Sequence, residues 1–229
     1  MDKTTIINQL PITGRRFLKE LELNNDRVWF EKHRREYEDS LLNPARDLVV
    51  ALGARLRQLC PDIVADPRVD RSIFRINRDV RFSKDKSPYK THLGIFFWEG
   101  HAPKIENSGY YWHLEAQELF FGAGLYIFPK WALERYRTAV SDEQKNLKLA
   151  EAIAGVREQG GDIGGERSKR FPVGYGRDVT EPELLLYKGI YSLYRISDFD
   201  MIRNKDLVEF SYSIFRKLAP VHEWLRSIL

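Results

Sequence analysis

The apolar positions fall into two kinds of period, and the change between them divides the chain. Phe17, Leu18 and Leu21 follow Thr13, which reads as the cap of a short helix, and the Asn24-Asn25 pair ends it. Asp26 offers a fresh cap for a second helix carrying Trp29, Phe30, His33 and Tyr37. Asn43-Pro44 opens a third, where Ala45, Leu48, Val49, Leu52, Leu56 and Leu59 recur at steps of three and four residues. Pro61 closes this helical part. Extended segments follow at Ser72 to Asn77, Leu93 to Trp98, Tyr110 to Ala116 and Leu119 to Phe128, an antiparallel set. Pro129 then starts a helix through Val140, and Asp142 caps another to about Glu158. Gly160, Gly161, Gly164 and Gly165 read as a flexible loop. Beyond it come a short helix near Glu183 to Lys188, an extended Tyr191 to Ile196, a helix from Asn204 to Leu218 and a coda from Pro220 to Ile228. The pattern predicts one α+β domain over 1–229, an antiparallel sheet with N-terminal and C-terminal helices packed against it. The N-terminal helices occupy about 14–60, the sheet about 72–128 and the C-terminal helical part about 129–229.

Composition narrows the class. With 229 residues, 43% hydrophobic and 13% aromatic, the chain can bury a core without covalent staples. Cys60 is the single cysteine, so no internal disulfide forms, and it reads as a small buried hydrophobe. No stretch approaches the ~20 apolar residues of a membrane helix, and the N-terminus lacks a signal-peptide core. The expectation is a cytoplasmic protein with no membrane partner; the oligomeric state is left open. The sequence GGDIGGERSK lacks the Gly-Lys-Ser/Thr ending of a phosphate loop, and no cofactor is expected.

Charge is where the sequence becomes specific. Between Arg71 and His92 there are seven Lys or Arg against two Asp, a surplus of five, whereas the whole chain carries +4. The rest of the molecule is therefore one charge negative, and the concentrated cations point to an anion. The run reads RxxRDxRFxxxKxPYK, at Arg75, Arg78, Asp79, Arg81, Phe82, Lys86, Pro88, Tyr89 and Lys90. In this it resembles the DUF2461 family. Asn24-Asn25, Trp29-Phe30, the HxE of His113 and Glu115, the glycines before Tyr126, and Arg170, Pro172, Gly174, Tyr175, Pro182 and Lys188 also resemble that family. Glu181 stands where members commonly have histidine, so no histidine role is carried to that position. The resemblance implies a single domain of about this length and supplies no chemistry.

If the run is a straight strand, Arg75, Asn77, Asp79 and Arg81 point one way and Phe74, Ile76, Val80 and Phe82 the other. Arg78 then falls on the apolar side, which requires either a bulge near Asn77 to Asp79 or a buried partner. Arg75, Arg78 and Arg81 can grip one oxyanion from several sides, with Asp79 orienting a guanidinium. Lys84, Lys86 and Lys90 add diffuse charge. Tyr89 joins this ligand-binding set, and Arg170, Tyr175 and Lys188 are candidates to close over it.

A second constellation comes from pairing strands. A two-residue loop of Gln117-Glu118 would set His113 opposite Gly122 and Tyr111 opposite Gly124. Tyr111, His113, Glu115, Gly122, Gly124 and Tyr126 would share one face, with the glycines leaving open space. His113 and Glu115 are the acid-base candidates and Tyr126 a proton donor. Two ligands fall short of the usual three for a catalytic zinc, and no metal is expected. Three readings remain open. One is a pocket for a small phosphorylated or carboxylated anion, with or without turnover. A second is a nucleic-acid-associated protein, Phe82 or Tyr89 stacking on a base. The third is a structural motif of buried ion pairs in a protein that acts through a partner surface.

Overall fold

The computed structural model describes residues 2–100, 103–176 and 178–229. It is an α+β fold with helices at both ends of the sequence and five strands forming one antiparallel sheet in the order β1-β2-β3-β5-β4. The described residues fall into two compact units, one of Met1–Phe97, Tyr111–Phe121 and Arg195–Ser213, the other of Trp98–Tyr110, Gly122–Tyr194 and Ile214–Leu229.

In the first unit, α1 spans Lys3–Leu23 and begins well before Thr13. Asp2 is the true cap, accepting the Thr5 N–H at 2.8 Å, and Pro11 lies buried inside the helix. Thr13 instead donates its hydroxyl to the carbonyls of Gln9 and Ser40. The helix ends at Asn24, and Asp26 caps α2 (Arg27–Lys32) by accepting the Trp29 N–H at 2.9 Å, as the sequence predicts. A one-turn α3 (Arg34–Tyr37) passes through a π-helical stretch, Glu38–Leu42, into α4 (Asn43–Leu56). Leu10, Phe17, Leu18 and Leu21 of α1 and Leu48, Leu52 and Leu56 of α4 are wholly buried. A Cβ on Gly14 would meet Leu114 at 3.2 Å, so α1 lies close against the second strand.

Strands β1 (His92–Trp98), β2 (Gly109–Glu115) and β3 (Leu119–Leu125) are where the sequence places them, to within three residues at every end. Ser72 to Asn77 is a correction: it is extended but forms isolated bridges, Ile73 with Val69 and with Ile95, and Asn77 with Tyr89. The chain changes partner midway, so no ladder grows long enough to make a strand.

In the second unit, α5 (Lys130–Val140) and α6 (Glu143–Glu158) follow the predicted bounds closely, with Asp142 accepting the Lys145 N–H. The glycine loop is a second correction. Asp162–Gly164 forms β4 and pairs antiparallel with β5 (Ile190–Ile196), Gly164 opposite Tyr191. A Cβ on Gly164 would lie 2.5 Å from the Tyr191 ring, so glycine here permits close strand approach rather than flexibility. A short 3-10 turn, Pro182–Leu186, stands where a helix to Lys188 was predicted. The last helix, α7, runs unbroken from Leu207 to Ile228 with Pro220 inside it, its residues up to Ser213 counted with the first unit and the rest with the second. Phe215, Leu218, Val221 and Leu225 bury its apolar face, and this packing offsets the missing N–H of the proline.

Candidate functional site

Strand alternation builds the site. Along β2, Trp112 and Leu114 are wholly buried, whereas Tyr111, His113 and Glu115 emerge on the opposite, partly exposed face. The three side chains form one chain of hydrogen bonds. His113 Nε2 lies 2.8 Å from Glu115 Oε1, and His113 Nδ1 lies 2.8 Å from the Tyr111 hydroxyl. An ionised carboxylate only accepts, so Nε2–H donates to Glu115, and in the neutral imidazole Nδ1 accepts the Tyr111 O–H. Burial raises the Tyr111 pKa above its ordinary value and keeps that proton in place.

The sequence reading missed His92. It opens β1, and its ring stacks on His113 with centroids 4.5 Å apart and planes 29° from parallel. His92, Gly94 and Phe96 share a face by parity, which is the signal that pairs His92 with the β2 cluster once the two strands are neighbours. Burial, first, and then the charges of His113 and Lys90 depress the His92 pKa to about 4, with Arg78 acting in the same direction. His92 is thus neutral near pH 7. Two residues of the basic run are therefore close enough to act electrostatically on this histidine.

The wall around the cluster is aromatic, not glycine. The Glu115 N–H bonds the Glu118 carbonyl at 2.9 Å, so the hairpin turns at Ala116-Gln117 and the pairing is two residues from the expected register. Phe120, rather than Gly122, lies beside His113, edge-on at 6.2 Å, and Phe74 meets Tyr111 edge-on at 6.1 Å. Gly124 serves the strand packing of the second unit, where at φ 141° a Cβ would sit 2.5 Å from the Ile190 carbonyl.

The basic run is a small hairpin. Arg78 N–H bonds the Pro88 carbonyl and Lys90 N–H the Ile76 carbonyl, at 2.9 and 2.7 Å, which leaves 79–87 as the loop. Arg78 pairs with Asp85, and Arg81 with Asp79 at 2.6 Å. The Arg81 guanidinium holds the Asp79 carboxyl down to about 2; the Ser87 hydroxyl and N–H, with Arg78, hold Asp85 well below the carboxylate range. These pairs lie at the surface and not in the buried network of the third reading: the Arg78 side chain is 30% exposed and Asp85 55%. Lys86 donates to the Val80 carbonyl and Lys90 to the Arg75 carbonyl. Arg75 and Lys84 have no carboxylate partner among the described residues.

Two aromatic residues trade the places expected of them. Tyr89 is a core residue, its ring stacked on Phe30 at 4.0 Å and its peptide clamped at both N–H and C=O by the Asn25 side chain. Phe82, expected on the apolar side, is 95% exposed in the loop with the Arg81 guanidinium 5.8 Å from its ring centroid.

The remaining candidates belong to the second unit. Tyr126 is exposed and leans on Tyr191, Lys188 pairs with Glu166 at 2.5 Å, and Arg137 stands over Tyr175. His113 and Glu115 are thus joined directly, while Tyr126 takes no part in their hydrogen-bonded chain.

No described helix is long and apolar enough to cross a membrane. The molecule is an α+β protein with a histidine-glutamate cluster on its sheet and a cationic hairpin whose charges reach that cluster. Residues 14–224 match the family of conserved hypothetical proteins designated DUF2461, and the chain belongs to that family. A search of curated proteins found no match.

Proposed function

We propose that the protein binds a small phosphorylated or carboxylated anion at the cationic hairpin, on the side facing His92, His113 and Glu115. The observation that carries this reading is the imbalance of charge. Of the six cations from Arg75 to Lys90, two are paired with carboxylates, while Arg75, Lys84, Lys86 and Lys90 form no salt bridge among the described residues. Burial and the neighbouring Arg75 already lower the Lys90 pKa, so a bound anion relieves an electrostatic cost that the free protein bears. The His113-Glu115 pair, with Tyr111 behind it, then supplies a proton-transfer couple beside the anion for any turnover. Thermal unfolding with inorganic phosphate, nucleotides and dicarboxylates at constant ionic strength tests the reading. A ligand at one hundred times its Kd adds ~2.7 kcal/mol, so one class should raise Tm by several degrees and the others should not. Equal, small responses to every anion would oppose it.

A second reading rests on Phe82. An almost fully exposed aromatic ring in a cationic loop is a platform on which a nucleobase stacks. In that case affinity for a short single-stranded oligonucleotide falls with salt at a log–log slope of about −3 for four phosphate contacts, and Phe82→Ser weakens it. A salt-insensitive affinity would set this reading aside.

A further inference from the structure

We infer that His92, His113 and Glu115 form a binding site for a divalent transition-metal ion, with zinc as the natural probe. The sequence alone offers two ligands, His113 and Glu115, because nothing in its spacing connects them to a residue twenty-one positions earlier. The sheet makes that connection. One ligating atom from each of the three side chains lies within 4.8 Å of the other two. In a tetrahedral zinc site with bonds of about 2.0–2.2 Å, ligand atoms stand roughly 3.4 Å apart, so small side-chain rotations close the set.

The chemistry of the donors fits. Two imidazoles and one carboxylate are a borderline nitrogen-oxygen set, suited to zinc and to ferrous iron and unsuited to magnesium or calcium, which prefer oxygen alone. Each imidazole offers a nitrogen lone pair to the metal. For His113 the metal takes the place of the Nε2 proton, and the remaining proton sits on Nδ1 and donates to the Tyr111 oxygen, already 2.8 Å away. That outer hydrogen bond is the one that orients a ligating histidine. Phe74 and Phe120 pack edge-on against Tyr111 and His113 and restrain the rings. Glu115 remains 40% exposed, so the ion has a path in from solvent and a coordination position open to water or an anion.

The inference stands apart from the anion reading, since it needs neither Arg78 nor Lys90. Calorimetric titration of the EDTA-treated full chain with Zn2+ is the test, with His92→Gln, Glu115→Gln, Arg78→Gln and the remote His33→Gln alongside. The expected result is one Zn2+ per chain for the wild type, Arg78→Gln and His33→Gln, with affinity at least tenfold weaker in His92→Gln and Glu115→Gln. Circular dichroism melts of each metal-free variant confirm that it is folded. Co2+ in the wild type should give the intense visible absorption of a four-coordinate site, lost in His92→Gln. Absence of stoichiometric Zn2+, or equal affinity in all five proteins, would overturn the site.

Discussion

The ring of His92 lies on the ring of His113, 4.5 Å away, so the first residue of β1 and the centre of β2 form one surface group. The adjoining Gly94 keeps that group in place, because a Cβ there would stand 2.7 Å from the Tyr111 hydroxyl. Gly94→Ala should therefore push Tyr111 off His113 and cost about 1–3 kcal/mol by overpacking. Chemical denaturation checks the cost, and the His113 imidazole resonances report whether Tyr111 has moved. An unshifted spectrum with unchanged stability would mean that the strands absorb the methyl group.

Ser211 makes the opposite prediction. Its hydroxyl is wholly buried in α7 and has no hydrogen-bond partner among the described residues. Leaving such a group unsatisfied costs roughly 1–3 kcal/mol, and alanine is the better helix former. Ser211→Ala should raise the denaturation midpoint by an amount equivalent to about 1 kcal/mol, with the slope unchanged. A lower midpoint would require a partner in solution for this hydroxyl.

The two aromatic residues of the hairpin should separate cleanly. Tyr89→Ala removes a ring packed on Phe30 in the core and should cost about 3–5 kcal/mol, whereas Phe82→Ser should leave stability within about 0.5 kcal/mol. Urea melts of the pair check this assignment of one ring to the fold and the other to the surface.

Acid should weaken the fold through His222. It is wholly buried, bonded at Nδ1 to the Ser108 hydroxyl at 2.7 Å, with Tyr110 against its ring. Glu99 stands 3.9 Å from Nε2 but is itself paired with Arg226. Burial, then the Arg226 charge, lowers the His222 pKa to about 3 from 6.5. Between those values the unfolded chain binds the proton and the folded one does not, so stability falls as pH drops below about 6.5 and this contribution levels off near 3. His222→Asn should be less stable at pH 7.5 yet show a shallower decline of Tm between pH 6.5 and 4. A parallel decline in both proteins would assign the acid sensitivity to other groups.

How much of this was legible in the sequence follows the range of the interactions. Asp26 and Asp142 cap helices through bonds that span three residues, and both were readable. The α1 start was not, because Pro11 and Thr13 look like a boundary locally while burial of Leu10 and Phe17 carries the helix across it. The His113-Glu115 pair was readable from period-two alternation. His92 was not, since its place depends on which strands are neighbours. The hairpin register was misjudged by two residues because Gln-Glu carries no strong turn signal, and Tyr89 was misplaced because Asn25, sixty-four positions away, turns its peptide inward.

The central claim is anion binding at the cationic hairpin, and its most direct measurement is calorimetric titration of wild type, Arg78→Met and Lys90→Met with inorganic phosphate and a dicarboxylate, at low and moderate salt. Saturable binding of one anion class should persist at moderate salt and weaken at least tenfold in both variants while each remains folded. Equal binding in all three proteins, or no saturable binding by any, would contradict it.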